Sequence, residues 1–328
     1  MKPKIVCLGG GTGQAAILEG LKSSECHLTG IVGVTDNGGY SGKIREAMDI
    51  PQVSDSRSVL SSVADDNLAI TKLMKYRFTE GELSGVSLGS LLLAALTRME
   101  GDFGKALEKM AKLVDAKAKV LPVTNQSTQI CAELLDGKKI EGEWSIIKES
   151  KSKVKRLYLM DKAKPAKGVL EALKGADMIV ISPGSLRTGI IPILLVEGVA
   201  DTIKKSKAKK VFLCNIMTHP GQTDYFTVST HLEEIKKYCN CKFDYVLVNS
   251  GKPSDDLLKV YEKDNAMPVV IDAVKEKTTV IIDNFVALLD HTQLMQVKRA
   301  SGKDFFEWPH LIRHDSKKVA KILMELVK

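Results

Sequence analysis

Five short segments of this 328-residue chain gather glycines, hydroxyls, carboxylates and cations in the patterns that phosphorylated ligands need. The first is Gly9, Gly10, Gly11, Thr12 and Gly13, which follows the apolar run Lys4 to Leu8 and precedes a segment of helical period, about Gln14 to Lys22. A glycine loop between a strand and a helix lets backbone N–H groups approach a phosphate and sets the positive helix end beneath it. The string lacks the Lys-Ser/Thr ending of a Walker loop, and Ala15 and Ala16 fill the later positions of the dinucleotide fingerprint. A tight strand-to-helix turn that uses glycine only for packing is the alternative.

The second segment, Thr35-Asp36-Asn37-Gly38-Gly39-Tyr40-Ser41-Gly42-Lys43-Ile44-Arg45, ends a second predicted strand, Leu28 to Val34. Ligands of open α/β sheets bind outside carboxyl strand ends, so this loop and the first should face one ligand, with Gly38, Gly39 and Ser41 as contacts. A plain Asn-Gly turn would use the same residues. In the third segment, Ser54-Asp55-Ser56-Arg57-Ser58, Asp55 either caps a helix or joins Asp36 at a metal or ligand. The fourth pattern recurs after two later strands. Pro183-Gly184-Ser185-Leu186-Arg187-Thr188-Gly189 offers a second anion nest. The stretch Asn215 to Thr223 presents Asn215, able to donate and accept at a base or sugar edge, and Thr218. His219 and His231 titrate near neutrality and are acid–base candidates, although neither has triad or metal spacing.

The elements that must position these loops follow from periodicity. Lys4 to Val34 reads as strand, loop, helix and strand, a parallel βαβ unit. Asp55 to Val114 reads as several short helices, and Val120 to Met160 as an antiparallel insertion of VLPVT, TQICAELL, WSIIKE and RLYLM around an Asp136-Gly137 turn. Parallel strands then resume at Met178 to Ile181, Val211 to Cys214, Tyr245 to Val248, Val269 to Ile271 and Val280 to Ile282, before a final amphipathic helix, Ser316 to Val327. The expected fold is α/β, a Rossmann-like three-layer arrangement spanning residues 1–328 as one domain.

Bulk properties narrow the function further. Hydrophobic residues make up 44% and charged residues 27%, the mix of a globular protein, and no apolar stretch has membrane-spanning length. The chain opens on a charged strand rather than a signal-peptide core, so a cytoplasmic protein is expected. Its net charge of +8 comes from lysines interleaved with acids, and the densest basic stretch, Lys148 to Lys155, reads as an exposed loop. Neither nucleic acid nor membrane is expected as a partner. Cys7, Cys131 and Cys214 fall in apparent strands as small hydrophobes, and Cys239 with Cys241 lacks the second pair that zinc would need.

Taken in order, GGGTG, DNGGYSGKIRE, SDSRS, VLPVT, PGSLRTGIIPILLVEGV and NIMTHPGQT resemble the CofD/YvcK family from Lys4 to about Ser250. The resemblance implies a Rossmann-like fold and one of two activities. One branch holds 2-phospho-L-lactate transferases of deazaflavin coenzyme biosynthesis, in which aspartates matching Asp36 and Asp55 help place a divalent metal, Mg²⁺. The other, YvcK or gluconeogenesis factor, binds nucleotide sugars such as UDP-N-acetylglucosamine and acts in carbon and cell-envelope regulation; the PGSL and NxMTxPGxT segments look more like this branch. In the transferase branch the first glycine loop and the Pro183-Gly184-Ser185 loop would hold nucleotide phosphates. The chain departs from the family pattern at Asn37, Tyr40, Ser54, Ser56, Arg187 and Ile193, and in Gly85-Val86-Ser87-Leu88-Gly89-Ser90, which lacks a usual histidine and asparagine. Asp55 and Arg57 are retained. The leading expectation is a regulatory nucleotide or nucleotide-sugar binder, working as a homodimer; the alternative is the Mg²⁺-dependent transferase, with Asp36 and Asp55 catalytic, and a paralogue retuned to another nucleotide is a third reading.

Overall fold

Runs of four to six apolar residues separated by amphipathic helices bury both faces of a sheet, which is the pattern of parallel strands covered on each side. The computed structural model describes residues 1–37, 39–149, 154–274, 277–288 and 311–328. In chain order, β1 (Lys4–Gly9), α1 (Gly11–Leu21) and β2 (His27–Val32) form the first unit. Helices α2 (Gly39–Met48), α3 (Ser54–Val63), α4 (Ala69–Lys75), α5 (Leu88–Glu100) and α6 (Phe103–Leu113) precede β3 (Lys119–Pro122). Next come β4 (Ile130–Leu134), β5 (Lys139–Glu141), α7 (Glu143–Glu149) and β6 (Val154–Leu159). The chain then alternates α8 (Val169–Lys174), β7 (Met178–Ile181), α9 (Ile191–Leu195), α10 (Val199–Lys205), β8 (Lys209–Leu213), α11 (Val228–Cys239), β9 (Tyr245–Asn249), α12 (Asp255–Glu262) and β10 (Thr279–Asp283), with a C-terminal helix Ser316–Val327.

Seven strands pair in the order β10-β9-β8-β7-β1-β2-β3, every neighbour parallel, and β5-β4-β6 form a separate antiparallel sheet. From β1 the chain steps one way to β2 and β3, then returns to β7 on the other side of β1 and steps the opposite way to β10. Right-handed crossovers therefore put the two sets of helices on opposite faces, and this is a Rossmann-like α/β fold. One set has α1 packed on α3 and on the C-terminal helix; in the other, α10 touches α8, α9 and α11. The central strands β1 and β7 are the core: Ile5, Val6, Cys7, Leu8 and Met178, Ile179, Val180, Ile181 are all buried.

Three expected strands take other places. VLPVT supplies β3, which extends the parallel sheet beside β2 rather than the antiparallel one. Trp144 to Glu149 is helix α7: only Ile146 is buried, and the Asn37 carboxamide accepts the Trp144 N–H at 3.1 Å, a cap from 107 residues away that local alternation does not reveal. Val269 to Ile271 makes only isolated bridges, Met217 to Pro268 and Thr227 to Val270, with Val270 and Ile271 exposed. Cys214 lies just beyond β8, and Cys239 and Cys241 are joined as a disulfide. Of the basic stretch, Lys148 ends α7 and Lys155 is in β6, while residues 150–153 lie outside the described residues.

Gln14 ties α1 to the sheet. It is fully buried, and its Nε2 donates to the carbonyls of Cys7 in β1 at 2.8 Å and Ile31 in β2 at 3.0 Å. Truncating it leaves two strand carbonyls unpaired beside a cavity. Gln14→Ala should therefore lower stability by about 2–4 kcal/mol, read as a reduced urea midpoint; an unchanged midpoint would show that water takes over both carbonyls.

Candidate functional site

Reversal of strand order between β1 and β7 opens a crevice at their carboxyl ends, and the first and fourth loops meet there although 170 residues separate them in sequence. The approach is tight. A Cβ on Gly13 would overlap the Pro183 carbonyl, and one on Gly10 would overlap the Asp55 carboxylate. Gly11 opens α1 with φ +57°, a conformation that L side chains rarely adopt. Packing thus accounts for these glycines, while the first turn of α1 still presents backbone N–H groups toward the cavity.

That cavity measures about 680 Å³. Of the residues singled out in sequence, Gly10, Gly11, Thr12, Gly13, Asp36, Asp55, Pro183, Gly184, Ser185, Asn215 and Thr218 line it, as does His219. Gly9, Arg57 and Arg187 do not. Gly38 lies outside the described residues, as does the side chain of Ser41; Gly39 opens α2. Arg187 turns toward α11, with its Nε 3.4 Å from Glu234 and its guanidinium over the Phe226 ring, 5.3 Å from the centroid. Arg57 runs beneath the site, where burial and the neighbouring Arg77 push its pKa down to about 10 against the pull of Asp55. Gly89 leaves room for its stem: a Cβ there would lie 3.0 Å from Arg57 Cγ.

Several polar side chains build the walls instead of reaching for a ligand. Asn215 spends its amide on one residue, accepting from the Gly184 N–H at 3.0 Å and donating to the Gly184 carbonyl at 2.8 Å. It fixes the Pro183-Gly184-Ser185 nest, so a base or sugar edge does not have that amide to itself. Thr218 is buried, and its hydroxyl accepts from the Met267 N–H at 3.0 Å. His219 Nδ1 lies 3.3 Å from Ser185 Oγ and 3.2 Å from Gln222 Nε2, which brings an imidazole and a hydroxyl together at the mouth of the nest. His231 is buried in α11 with Nδ1 at 2.8 Å from the Thr227 carbonyl; burial lowers its pKa to about 4, so it is a neutral core residue away from the cavity.

The acidic groups are more numerous than the sequence suggested. Asp55 does not cap α3, whose N-cap is Val53; Gln52 Oε1 accepts the Asp55 N–H at 3.3 Å, and the Asp55 carboxylate turns to the Gly10–Gly11 backbone. The same Gln52, fully buried, donates from Nε2 to Asp36 at 3.1 Å, so it orients the Asp36 carboxylate and fixes the backbone of Asp55. A third carboxylate, Glu143 of α7, hydrogen-bonds Asp36 and accepts from the Thr188 hydroxyl at 2.5 Å. Burial first, then the Asp36 charge, raises the Asp55 pKa to about 7, with Arg57 opposing. Glu143 is also raised, by burial and then by the charge and hydrogen bond of Asp36. Gln52 and Glu143 carried no signal in sequence, since ordinary surface-type residues acquire these roles only through contacts between distant segments. Among the described residues no group of three or more His, Cys, Asp or Glu is arranged to hold a metal ion.

A pH dependence follows with a definite sign. Asp55 keeps its proton in the folded chain up to about pH 7 but loses it in the unfolded chain near 3.8. Its stabilising contribution is full below the lower value and disappears as pH rises through the upper one. Thermal unfolding of the ligand-free protein should therefore move to lower temperature between about pH 4 and 7, and Asp55→Asn should flatten part of that slope; an unaltered slope in the variant would assign the proton elsewhere.

Comparison with known proteins shows the family of the chain. The family model described as 2-phospho-L-lactate transferase CofD matches residues 5–286. A "Putative gluconeogenesis factor" of Thermotoga maritima is 39% identical over 321 residues, 98% of each chain. The "Gluconeogenesis factor" of Bacillus subtilis is 38% identical over 333 residues, covering 100% of this chain and 99% of the relative. A crystal structure of a Bacillus halodurans protein superposes with a TM-score of 0.88 at 38% identity, over 99% of this chain and 100% of the other. A glycine loop of β1 set against a Pro-Gly-Ser loop of β7, with acids from two further segments, is thus carried on a chain that belongs to the CofD family, among relatives named gluconeogenesis factor.

Proposed function

We propose that the cavity binds a nucleoside diphosphate or nucleotide sugar, and that occupancy rather than turnover carries the function, which is regulatory in carbon or cell-envelope metabolism. The observation that supports this most is the meeting of two backbone nests, Gly10–Gly13 and Pro183–Ser185, over one cavity at the switch point of the sheet. Two such nests side by side suit two linked phosphates better than one. The names of the relatives point toward regulation of gluconeogenesis. A cytoplasmic location belongs to this proposal; no described helix is long and apolar enough to cross a membrane.

A second reading is favoured by one feature, the two aspartates. Asp36, held by Gln52 Nε2, and Asp55, whose backbone N–H is held by Gln52 Oε1, are hard oxygen donors beside the phosphate nests and fit Mg²⁺ if phosphate oxygens and water complete its shell. When bound there the ion would neutralise charge on a phosphoryl group under attack by an alcohol. The chain's own part would be to hold the diphosphate on the two loops and to keep Asp36 and Asp55 in place. This is the transferase reading, with a deazaflavin alcohol as acceptor.

Calorimetry and thermal shift with UDP-sugars, GDP, GTP and the deazaflavin acceptor, each with and without Mg²⁺, separate the two. Selective binding raises stability by about 2.7 kcal/mol at a hundredfold excess over Kd. A UDP-sugar that stabilises the protein and is recovered intact supports the regulatory reading. Mg²⁺-dependent donor consumption that requires the acceptor establishes the transferase, and a panel with no binder contradicts both.

A further inference from the structure

The cavity has two unlike ends, and sheet order fixes where they lie. Neighbours run β8-β7-β1-β2, so the loop after β8 and the loop after β2 stand about 14 Å apart, three strand spacings, with both phosphate nests between them. The β8 end is mostly apolar, although Arg313 and His314 are also among its lining. Ile216, Met217, Tyr261 and Ile312 wall it, and the buried Tyr261 hydroxyl accepts the N–H groups of Leu311 and Ile312 at 3.0 and 3.1 Å. The β2 end is acidic and hydroxyl-bearing, with Asp36, Glu143 and Thr188, and beside them stands Trp144, 37% exposed.

Helix α7 crosses the mouth between these ends and is pinned along its length. Asn37 caps it at Trp144, Glu143 bonds Thr188, and the Ile147 carbonyl rests on Gly221, where φ is +73° and a Cβ would overlap that carbonyl. The indole is steadied by the Lys148 ammonium, 4.6 Å from its centroid. A large, half-exposed aromatic in a rigid frame at a cavity rim is a stacking surface rather than a core residue.

We propose that Trp144, Glu143 and Asp36 form a subsite for the neutral sugar ring of a nucleotide sugar, so that this end of the cavity separates a glycosylated nucleoside diphosphate from the bare diphosphate. The assignment rests on the nucleotide reading above. Phosphate belongs on the backbone nests, because it would be repelled by Asp36 and Glu143. A planar base has the β8 end, where the apolar walls of Ile216, Met217 and Tyr261 stand beside Arg313 and His314. What remains for the β2 end is a group that offers C–H faces to an indole and hydroxyl donors to carboxylates, and a pyranose offers both.

The test uses the full chain with Trp308 replaced by Phe, which leaves Trp144 as the one tryptophan. UDP-N-acetylglucosamine should change its fluorescence and UDP should not. By calorimetry, Trp144→Ala should lower affinity for the UDP-sugar by roughly tenfold, the scale of one aromatic contact, with UDP affinity unchanged; Trp144→Phe should recover most of the loss. Glu143→Gln should likewise weaken the sugar nucleotide selectively, and unfolding midpoints of the variants report that they fold. Equal weakening of UDP and UDP-sugar, or no change in either, overturns the subsite while the nucleotide reading stands. Equal affinity of the unaltered protein for UDP and the UDP-sugar does the same. If neither binds, the nucleotide reading fails and the subsite with it.

Discussion

At the seam between β1 and β7 the backbone of Gly13 lies so close to the Pro183 carbonyl that only a hydrogen fits between them. That contact presses together two loops from opposite halves of the sheet, and the rest of the site is arranged around it. Asn215 clamps Gly184 from the β8 side, and Asp55 packs on Gly10 and Gly11 from α3. The alternatives of glycine for packing and glycine for a phosphate turn out not to compete. A side chain at position 13 would break the fold locally before it touched a ligand, whereas one at position 10 would displace the Asp55 carboxylate, so a substitution at Gly13 reports on assembly of the seam as much as on binding.

Around this neutral seam the charges are unevenly placed. Asp36, Asp55 and Glu143 converge on one side, and burial first, then the charge of Asp36, raises the pKa values of Asp55 and Glu143. Arg45 is buried and makes no hydrogen bond to them; its charge acts on Asp36 through space, while its guanidinium donates to the Thr128 carbonyl at 2.7 Å and to Ser127 at 3.2 Å, binding the Asp36 loop to the β3–β4 connection. Compensation for the acids comes from protons, from the charges of Arg57 on Asp55 and Arg45 on Asp36, and from the hydrogen bonds of Gln52 to Asp36 and Thr188 to Glu143. A ligand with hydroxyl donors or a hard cation would add to that compensation, and the two functional readings differ in which of these arrives.

The fold was legible where a single segment carries its own signal. Short apolar runs ending in glycine-rich loops marked β1, β2, β7 and β8, and the amphipathic period of Ser316–Val327 marked the last helix with its bounds. Legibility ended where partners from distant segments decide. Trp144 to Glu149 alternates like a strand but is capped as a helix by Asn37, and Val269 to Ile271 has strand composition without a neighbour to pair along its length. Site residues divide the same way. Backbone loops were found because glycine advertises them, whereas Arg187 and Asn215 looked like ligand groups and are spent on Glu234 and Gly184. Gln52 and Glu143 act only through contacts made across the tertiary structure.

The central claim is that the seam between β1 and β7 holds a diphosphate. A crystal structure of the protein grown with a UDP-sugar tests it most directly. The account predicts both phosphates within hydrogen-bond distance of the backbone N–H groups at Gly11–Gly13 and Gly184–Ser185. Phosphates bound anywhere else on the chain, with those N–H groups facing only water, would contradict it.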